Sequence, residues 1–355
     1  MRIFAPLTEN EKYLHRCLQL AQLGAGHVAP NPMVGAVLVY EDRIIGEGYH
    51  QQYGQAHAEV HCINSVAAAA DKQWIDKSTL YVSLEPCAHF GKTPPCADLI
   101  IKNKIPNVVI GCRDSYTEVN GKGIEKLKAA GVQVTVGVLE KEAMELNKRF
   151  FTFHQQQRPY IILKWAQTAD NKIAAATYER LLISNEFTNR LVHQWRTEEA
   201  AIMVGTNTAL KDDPSLTARL YPGNNPLRLV IDIGLKLPAS LKLLDSTVKT
   251  IVFNKEKQEE GTMLSFYKID AKEKAIPQIL KALYHLKIQS VIIEGGAKLL
   301  QSFIDDNLWD EARVITNTTM KIGEGIDAPV LQQQQLTTEQ IILTDKIQYF
   351  SNNNQ

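Results

Sequence analysis

The sequence predicts an α/β protein built as two domains, and three observations carry that reading. A chain of 355 residues is longer than a single hydrophobic core usually serves. Segments of strand character alternate with amphipathic helical segments, the pattern of layered α/β folds. The alternation lapses once, around "NKRFFTFHQQQRPY", and then resumes. That lapse sets the boundary near residue 155, between a domain at 1–150 and a second at 155–355.

The first helix is read from "TENEKYLHRCLQLAQLG". Thr8 and Glu11 form a capping box at its start. Tyr13, Leu14, Cys17, Leu18 and Ala21 make one apolar stripe, so Cys17 is a small core residue. Gly24 is expected to end the helix in the left-handed conformation. "VGAVLVYEDRIIGEGYH" reads as a hairpin turning at Glu41–Asp42, and "HAEVHCINSVAAAADKQ" as one helix carrying Cys62 in its core. "STLYVSLE" is a strand running into a cysteine-bearing loop. "NVVIGCRD", with Cys112 in its core, and "VQVTVGV" are further strands, each followed by a helix. In the second half, "YIILKW", "AAIMVG", "LRLVID", "KTIVFN", "SVIIE" and "EARVIT" read as strands, with helices near 186–197, 276–286 and 297–304. The polar tail "SNNNQ" is expected to fray.

Composition narrows the function. With 45% hydrophobic and 22% charged residues, the chain is not of the disordered class. Lys+Arg and Asp+Glu both number 39, so no global field gathers nucleic acid or an anionic membrane. No run approaches the ~18 apolar residues of a membrane span, and "MRIFAPLTENEKYL" lacks a secretory apolar core. Five cysteines at irregular spacing argue against a disulfide framework. A reducing, cytoplasmic setting is expected, where clustered cysteines more often bind metal.

The chemistry concentrates in "HAEVH" and "LEPCAHFGKTPPC". Zinc favours imidazole and thiolate donors. Three protein ligands leave an open, catalytic position, and four make a closed, structural site. His57, Cys87 and Cys96 supply three. Glu59, two residues after His57, can lie beside the metal without ligating it and pass a proton from activated water. His61 shares the helical face of His57. As a fourth ligand it would seal the site; otherwise it is a core histidine. A zinc-protease reading fails because Ala58 stands where that motif needs glutamate.

Base deaminases that use zinc carry H-x-E followed by P-C-x-x-C; this chain keeps H-x-E and P-C but spaces its cysteines C-x8-C. With "NPMVGAVLV", "GEGYHQQYGQAHAEVH", "LEPCAHFGKTPPC" and "GKGIEKLKAAGVQV", residues 10 to 150 closely resemble the pyrimidine deaminase domain of the bifunctional riboflavin-biosynthesis deaminase–reductase family. The resemblance implies a cytidine-deaminase-like α/β/α layer with one Zn2+ per chain. It also implies a small phosphorylated substrate, the diaminopyrimidinone ribosylamine, contacted by Asn31, His50, His89 and Lys92. An amide suits a pyrimidine edge and an ammonium suits a phosphate. Each of these residues alone reads more simply as a turn, a loop histidine or a solvated charge. The implied reaction is hydrolytic deamination, with Glu59 protonating the ring nitrogen and then the departing amine.

"YIILKWAQTADNKIA", "RTEEAAIMVGTNTALKDDPSLTAR" and "VIIEGGAKLL" resemble the reductase domain of the same family, from about 160 to 345. This implies a dihydrofolate-reductase-like fold that uses NADPH. "SVIIEGGAKLL" alone is a strand, two glycines and a helix. Such a joint suits phosphate but often serves only a tight turn. By resemblance, Ala166, Thr208, Asp212 and Gly296 contact the cofactor, and Arg196, Leu216, Arg219 and Glu294 the ribosylamino substrate. Lys164 is a further polar contact. The chain departs from the family's A-S-x-D-G at "AQTADN", with Thr168 and Asn171. Arg180 replaces a substrate-contacting serine, Leu182 a cofactor-contacting tryptophan, and Ile233 a serine found in some relatives. Those changes leave a weakened reductase as an alternative. A nucleic-acid base deaminase and a structural zinc module are two others. A homo-oligomer joined through the reductase domain is implied by the resemblance alone.

Overall fold

The computed structural model describes residues 7–90, 94–114, 120–176 and 181–353. The chain divides into two compact units, Met1–Gln156 and Gln157–Gln355. Among the described residues, no helix is long and apolar enough to cross a membrane.

The first unit runs α1 (Glu9–Gln22), β1 (Gly35–Tyr40), β2 (Arg43–Tyr49), α2 (Ala58–Asn64), α3 (Ala69–Lys72), β3 (Thr79–Leu84), α4 (Cys96–Lys102), β4 (Asn107–Cys112), α5 (Lys122–Ala129), β5 (Gln133–Val136), α6 (Glu140–Leu146) and α7 (Lys148–Gln156). Its sheet has the order β2-β1-β3-β4-β5. β1 is antiparallel to both neighbours, while β3, β4 and β5 are parallel.

Alternation of side chains along each strand feeds two layers. Leu38, Leu80, Val82 and Ile110 pack with Ala58 and Cys62 of α2, Ala97 and Ile100 of α4, and Ile124 and Leu127 of α5. Val37, Val39, Tyr81 and Val109 pack with Tyr13, Leu14 and Cys17 of α1. Ala143, Phe150 and Phe151 bring α6 and α7 onto Leu84 and Cys112. α1 crosses β1 at backbone distance, because a Cβ on Gly35 would lie 2.0 Å from the Cys17 carbonyl oxygen.

The capping box of Thr8 and Glu11 is formed. The β1–β2 hairpin turns at Glu41 and Asp42, with φ of 45° and 61°, and Tyr40 pairs with Arg43. That is the backbone twist that two-residue hairpins favour. Two expectations are corrected. The single helix read over 57–73 is divided into α2 and α3. Ser65 donates its hydroxyl to the Cys62 carbonyl (2.7 Å) and accepts the Glu47 amide (2.8 Å), which ties the end of α2 to β2. Gly24 is not left-handed; the positive φ falls on Gly26. Glycine stands at 24 for space, since a Cβ there would come 2.7 Å from the His50 carbonyl oxygen.

The second unit runs β6 (Tyr160–Thr168), β7 (Lys172–Ala175), α8 (Glu186–Glu198), β8 (Ala201–Gly205), α9 (Thr206–Asp212), β9 (Leu227–Ile231), β10 (Thr250–Asn254), β11 (Leu264–Lys268), α10 (Ala275–His285), β12 (Ser290–Ile293), α11 (Ala297–Asp305), β13 (Glu311–Asn317), β14 (Gly325–Asp327), β15 (Gln334–Ile342) and β16 (Asp345–Asn352). The large sheet has the order β11-β10-β9-β8-β12-β6-β13-β16-β15. It is parallel from β11 to β13 and closes with antiparallel β16 and β15. β7 and β14 form a separate ribbon. α10 and α11 cover one face through Ile279, Leu283, Leu300 and Phe303. α8 and α9 cover the other through Val192, Trp195 and Ala209.

The tail reading is corrected as far as the described residues reach; Asn354 and Gln355 lie outside them. Ser351 and Asn352 belong to β16, and the buried Asn352 side chain donates to Asn307 Oδ1 (2.8 Å) and the Trp309 carbonyl (2.9 Å). β16 is an inner strand between β13 and β15, so its last residues are held on both sides. β15, the outermost strand, is exposed along nearly its whole length.

Candidate active sites

In the first unit, the end of one strand and the starts of two helices converge. β3 runs through Glu85 and Pro86 to Cys87. His57 directly precedes α2, and Cys96 opens α4. His57 Nδ1 lies 3.6 Å from Cys87 Sγ and 3.4 Å from Cys96 Sγ. All three donor atoms fall within 4.8 Å of one another. Zinc bonds of about 2.3 Å to sulfur and about 2.0 Å to nitrogen, at the tetrahedral angle, put S and N roughly 3.6 Å apart. The observed spacing therefore fits a zinc ion. Among the described residues this is the one such group, and neither His61 nor Glu59 belongs to it. The set stops at three ligands, so the sealed site that His61 would have made is not formed.

The three donor groups also act on one another, and contact with Cys87 raises the His57 pKa. The hydrogen bond from Cys96 lowers the Cys87 thiol to about 4, aided by His57, while that shared bond and burial push Cys96 up. Glu59 is 3% exposed. Burial first, and then the Cys87 charge, raise its carboxyl above the ordinary value. A carboxyl shifted upward is a better proton acceptor than an ordinary one, as a proton carrier must be.

Two expected substrate residues meet at this centre. Asn31 Nδ2 lies 3.1 Å from His50 Nε2, and His50 Nδ1 lies 3.0 Å from the Ala56 carbonyl. The carbonyl can only accept, so Nδ1 carries the proton and Nε2 accepts from Asn31. Burial lowers the His50 pKa, which keeps the ring neutral. The ring stands edge-on to His57 at 5.3 Å. His89 sits half-buried two residues past Cys87. Lys92 lies outside the described residues.

Sequence reasoning missed two supports. The buried Glu85 carboxylate accepts four backbone amides, from Gly121 and Gly123 (3.0 Å each) and from Asp114 and Ile124 (3.3 Å each). It thereby pins the strand end that delivers Cys87. "LEPC" did hold a signal, a carboxylate beside a metal-bearing loop. The second support, Asn147, has no sequence signal at all: its amide bonds Met33 on both backbone groups.

In the second unit, Arg196 of α8 grips Glu294 after β12 through Nε–Oε1 (2.8 Å) and Nη2–Oε2 (2.7 Å). Its remaining Nη1 donates to the Thr217 carbonyl (3.0 Å), and Lys164 Nζ lies 3.4 Å from Glu294. Burial alone would raise the Glu294 carboxyl, but the two cations win and hold it at about 2. His193, one turn before Arg196, was also missed. Its Nδ1 accepts the Leu220 amide (3.4 Å), and burial, Arg196 and Arg219 push it down to about 4.

Leu216 is buried at φ 50°, and Arg219 is exposed with a contact to Thr217 (3.4 Å). Thus Arg196, Glu294, Lys164 and the 216–220 loop come together. The Gly296 amide donates to Thr208 Oγ1 (2.9 Å) where α11 begins. A Cβ on Gly295 would meet the Leu299 side chain at 2.8 Å. A strand end, two glycines and the start of a nine-residue helix make a joint of the kind that a phosphate group can approach. Asp212 closes α9 and is exposed, Ala166 is half-buried on β6, and Leu182 is 70% exposed. Arg180 lies outside the described residues.

Comparison with known proteins covers both units. Residues 7–112 match the model of the cytidine and deoxycytidylate deaminase zinc-binding region, and residues 159–350 that of the RibD C-terminal domain. The chain is 42% identical over 323 residues to riboflavin biosynthesis protein RibD of Aquifex aeolicus, covering 89% of each. It is 38% identical over 352 residues to that of Bacillus amyloliquefaciens, covering 92% of this chain and 93% of the relative. A crystal structure of a diaminohydroxyphosphoribosylaminopyrimidine deaminase/5-amino-6-(5-phosphoribosylamino)uracil reductase from Thermotoga maritima superposes with a TM-score of 0.88 at 35% identity. It covers 97% of this chain and 99% of that one.

Proposed function

Given that this chain belongs to the RibD family of bifunctional riboflavin-biosynthesis deaminase–reductases, we propose that each of its two chemistries is carried by the side-chain set its own unit assembles. The chain is a zinc-dependent deaminase and an NADPH-dependent reductase. The observation that carries the site reading is the three-ligand His57–Cys87–Cys96 group with the buried Glu59 beside it.

In the deaminase, the substrate is 2,5-diamino-6-(5-phosphoribosylamino)pyrimidin-4(3H)-one. Bound zinc supplies a Lewis acid that makes a water acidic near neutral pH. Glu59 would take one proton from the attacking water and pass it to the ring nitrogen, then take the remaining proton of the added hydroxyl and pass it to the departing amine, which leaves as ammonia. Asn31 and His50 hold the pyrimidine edge, His89 adds a polar contact, and Lys92 meets the phosphate. In the reductase, C1′ of the opened ribose, as an imine, would take up the hydride that NADPH supplies while its nitrogen takes a proton from water, giving a ribitylamino product. Ala166, Leu182, Thr208, Asp212 and Gly296 hold the cofactor. Arg180, Arg196, Leu216, Arg219 and Glu294 hold the substrate, with the arginines suited to its phosphate.

The balanced charge argues for small-molecule partners without nucleic acid or membrane, and five cysteines at irregular spacing argue for a reducing, cytoplasmic setting. The exposed outer strand β15 supports a homo-oligomer formed through the reductase unit. The test feeds purified protein the diaminopyrimidine substrate and follows ammonia release and NADPH oxidation separately. Release without NADPH, followed by oxidation once NADPH is added, is the expected result. No ammonia in a zinc-loaded sample would overturn the deaminase assignment.

A further inference from the structure

We infer that Asn147, which is outside both the metal-ligand group and the expected substrate contacts, is a positioning residue that sets the deaminase's hold on its pyrimidine. The inference rests on the reading of Asn31 and His50 as substrate contacts. The stretch from Asn31 to Val34 lies between α1 and β1 with no regular structure. Several of its backbone groups are nevertheless paired. The Asn31 amide donates to the Val28 carbonyl (2.9 Å), and the Val34 carbonyl accepts the His50 amide (2.9 Å). Met33 lies between, and its two backbone groups go to one side chain. Asn147 Oδ1 accepts the Met33 amide at 2.8 Å, and Asn147 Nδ2 donates to the Met33 carbonyl at 2.9 Å. The carboxamide thus does for Met33 what a neighbouring strand does in a ladder. A primary amide is the side chain that offers a donor and an acceptor side by side.

The clamp is anchored at its own base. Asn147 is 3% exposed and sits at the joint of α6 and α7. Its amide donates to the Met144 carbonyl (3.1 Å), and its carbonyl accepts the Phe151 amide (3.0 Å). Ala143, Phe150 and Phe151 on either side pack against Leu84 and Cys112, at the ends of β3 and β4. β3 is the strand that delivers Cys87. The substrate loop is therefore fixed to the same support as the metal loop, across 114 residues of sequence. Releasing Met33 frees Asn31, two residues away, from its fixed place relative to His50 Nε2. A contact that must be ordered at binding weakens binding before it slows chemistry.

The experiment compares full-length wild type with Asn147→Ala, Asn147→Asp and Asn31→Ala. It reads ammonia-release KM and kcat, zinc content, exchange of the Met33 amide, and reductase activity on the deaminated substrate. Asn147→Ala should raise the deaminase KM about tenfold with kcat within about twofold, and speed Met33 exchange, while zinc and reductase activity hold. Asn147→Asp keeps the acceptor for the Met33 amide, so it should retain slow exchange and recover part of the KM. A normal KM in Asn147→Ala beside a raised KM in Asn31→Ala overturns the positioning role. A normal KM in Asn31→Ala overturns the substrate reading itself. If Asn147→Ala fails to fold, Asn147→Asp decides alone: a KM equal to wild type, despite the lost bond to the Met33 carbonyl, overturns the inference.

Discussion

Arg196 and Glu294 face each other as two parallel hydrogen bonds, 2.8 and 2.7 Å long, with their side chains 11% and 8% exposed. Such a pair fixes a carboxylate in one orientation, and breaking it strands a buried charge. Arg196→Lys cannot form both bonds. It should cut reductase kcat/KM by tenfold or more, on the order of 1.4 kcal/mol, with ammonia release unchanged. Steady-state rates for both activities check this.

The same carboxylate sets a pH dependence. Its folded pKa of about 2 lies below the ordinary 4.5. Its contribution is therefore complete above about pH 4.5 and drains away as pH falls toward 2. Denaturant unfolding of wild type and Glu294→Gln at pH 7 and pH 3 should show the gap narrowing by on the order of 2 kcal/mol in acid. A gap that does not change with pH would show that the two cations do not hold this group ionised.

Glu59→Gln should keep zinc and lose deamination by 10²-fold or more, as expected when a proton carrier is removed. Metal analysis beside an ammonia assay separates this from a structural site, where the substitution would leave any activity untouched.

Glu85→Gln puts an NH2 where two of four backbone amides now find an oxygen. The unfolding free energy should drop by about 1–3 kcal/mol. Zinc should bind about tenfold more weakly, because the support behind Cys87 loosens. Chelator competition reads the second effect.

Gly295→Ala brings a Cβ to 2.8 Å from the Leu299 side chain, so that side chain, at the start of α11, must move. The KM for NADPH should rise several-fold while the deaminase is unaffected. Reductase rates across an NADPH titration check this.

The metal centre was legible because its ligands sit in short motifs whose donor chemistry is specific. The parallel strands were legible because burial on both faces leaves continuous apolar runs such as "AAIMVG" and "SVIIE". β15 was not, because "QQLTTEQII" is exposed on both faces and carries no alternation. Glu85 and Asn147 were missed for a different reason. Each acts on backbone atoms, and backbone partners leave no mark in side-chain pattern. His193 was missed because an isolated histidine on a helix has no periodic signature. The break after Asn64 depends on the Ser65 hydroxyl finding β2, a tertiary contact that overrides the helical propensity of the alanines that follow.

β16, placed between β13 and the outer β15, makes the last twenty-odd residues a seam in the sheet. A late stop codon, or a protease cut in the β14–β15 connection, would unzip Glu311–Asn317 along one whole side and leave its amides bare. The damage would reach Trp309, which β16 helps to anchor through Asn352, and from there the interior that Trp309 fills. Loss of that segment should yield a chain that aggregates during synthesis, not a shorter enzyme of reduced activity.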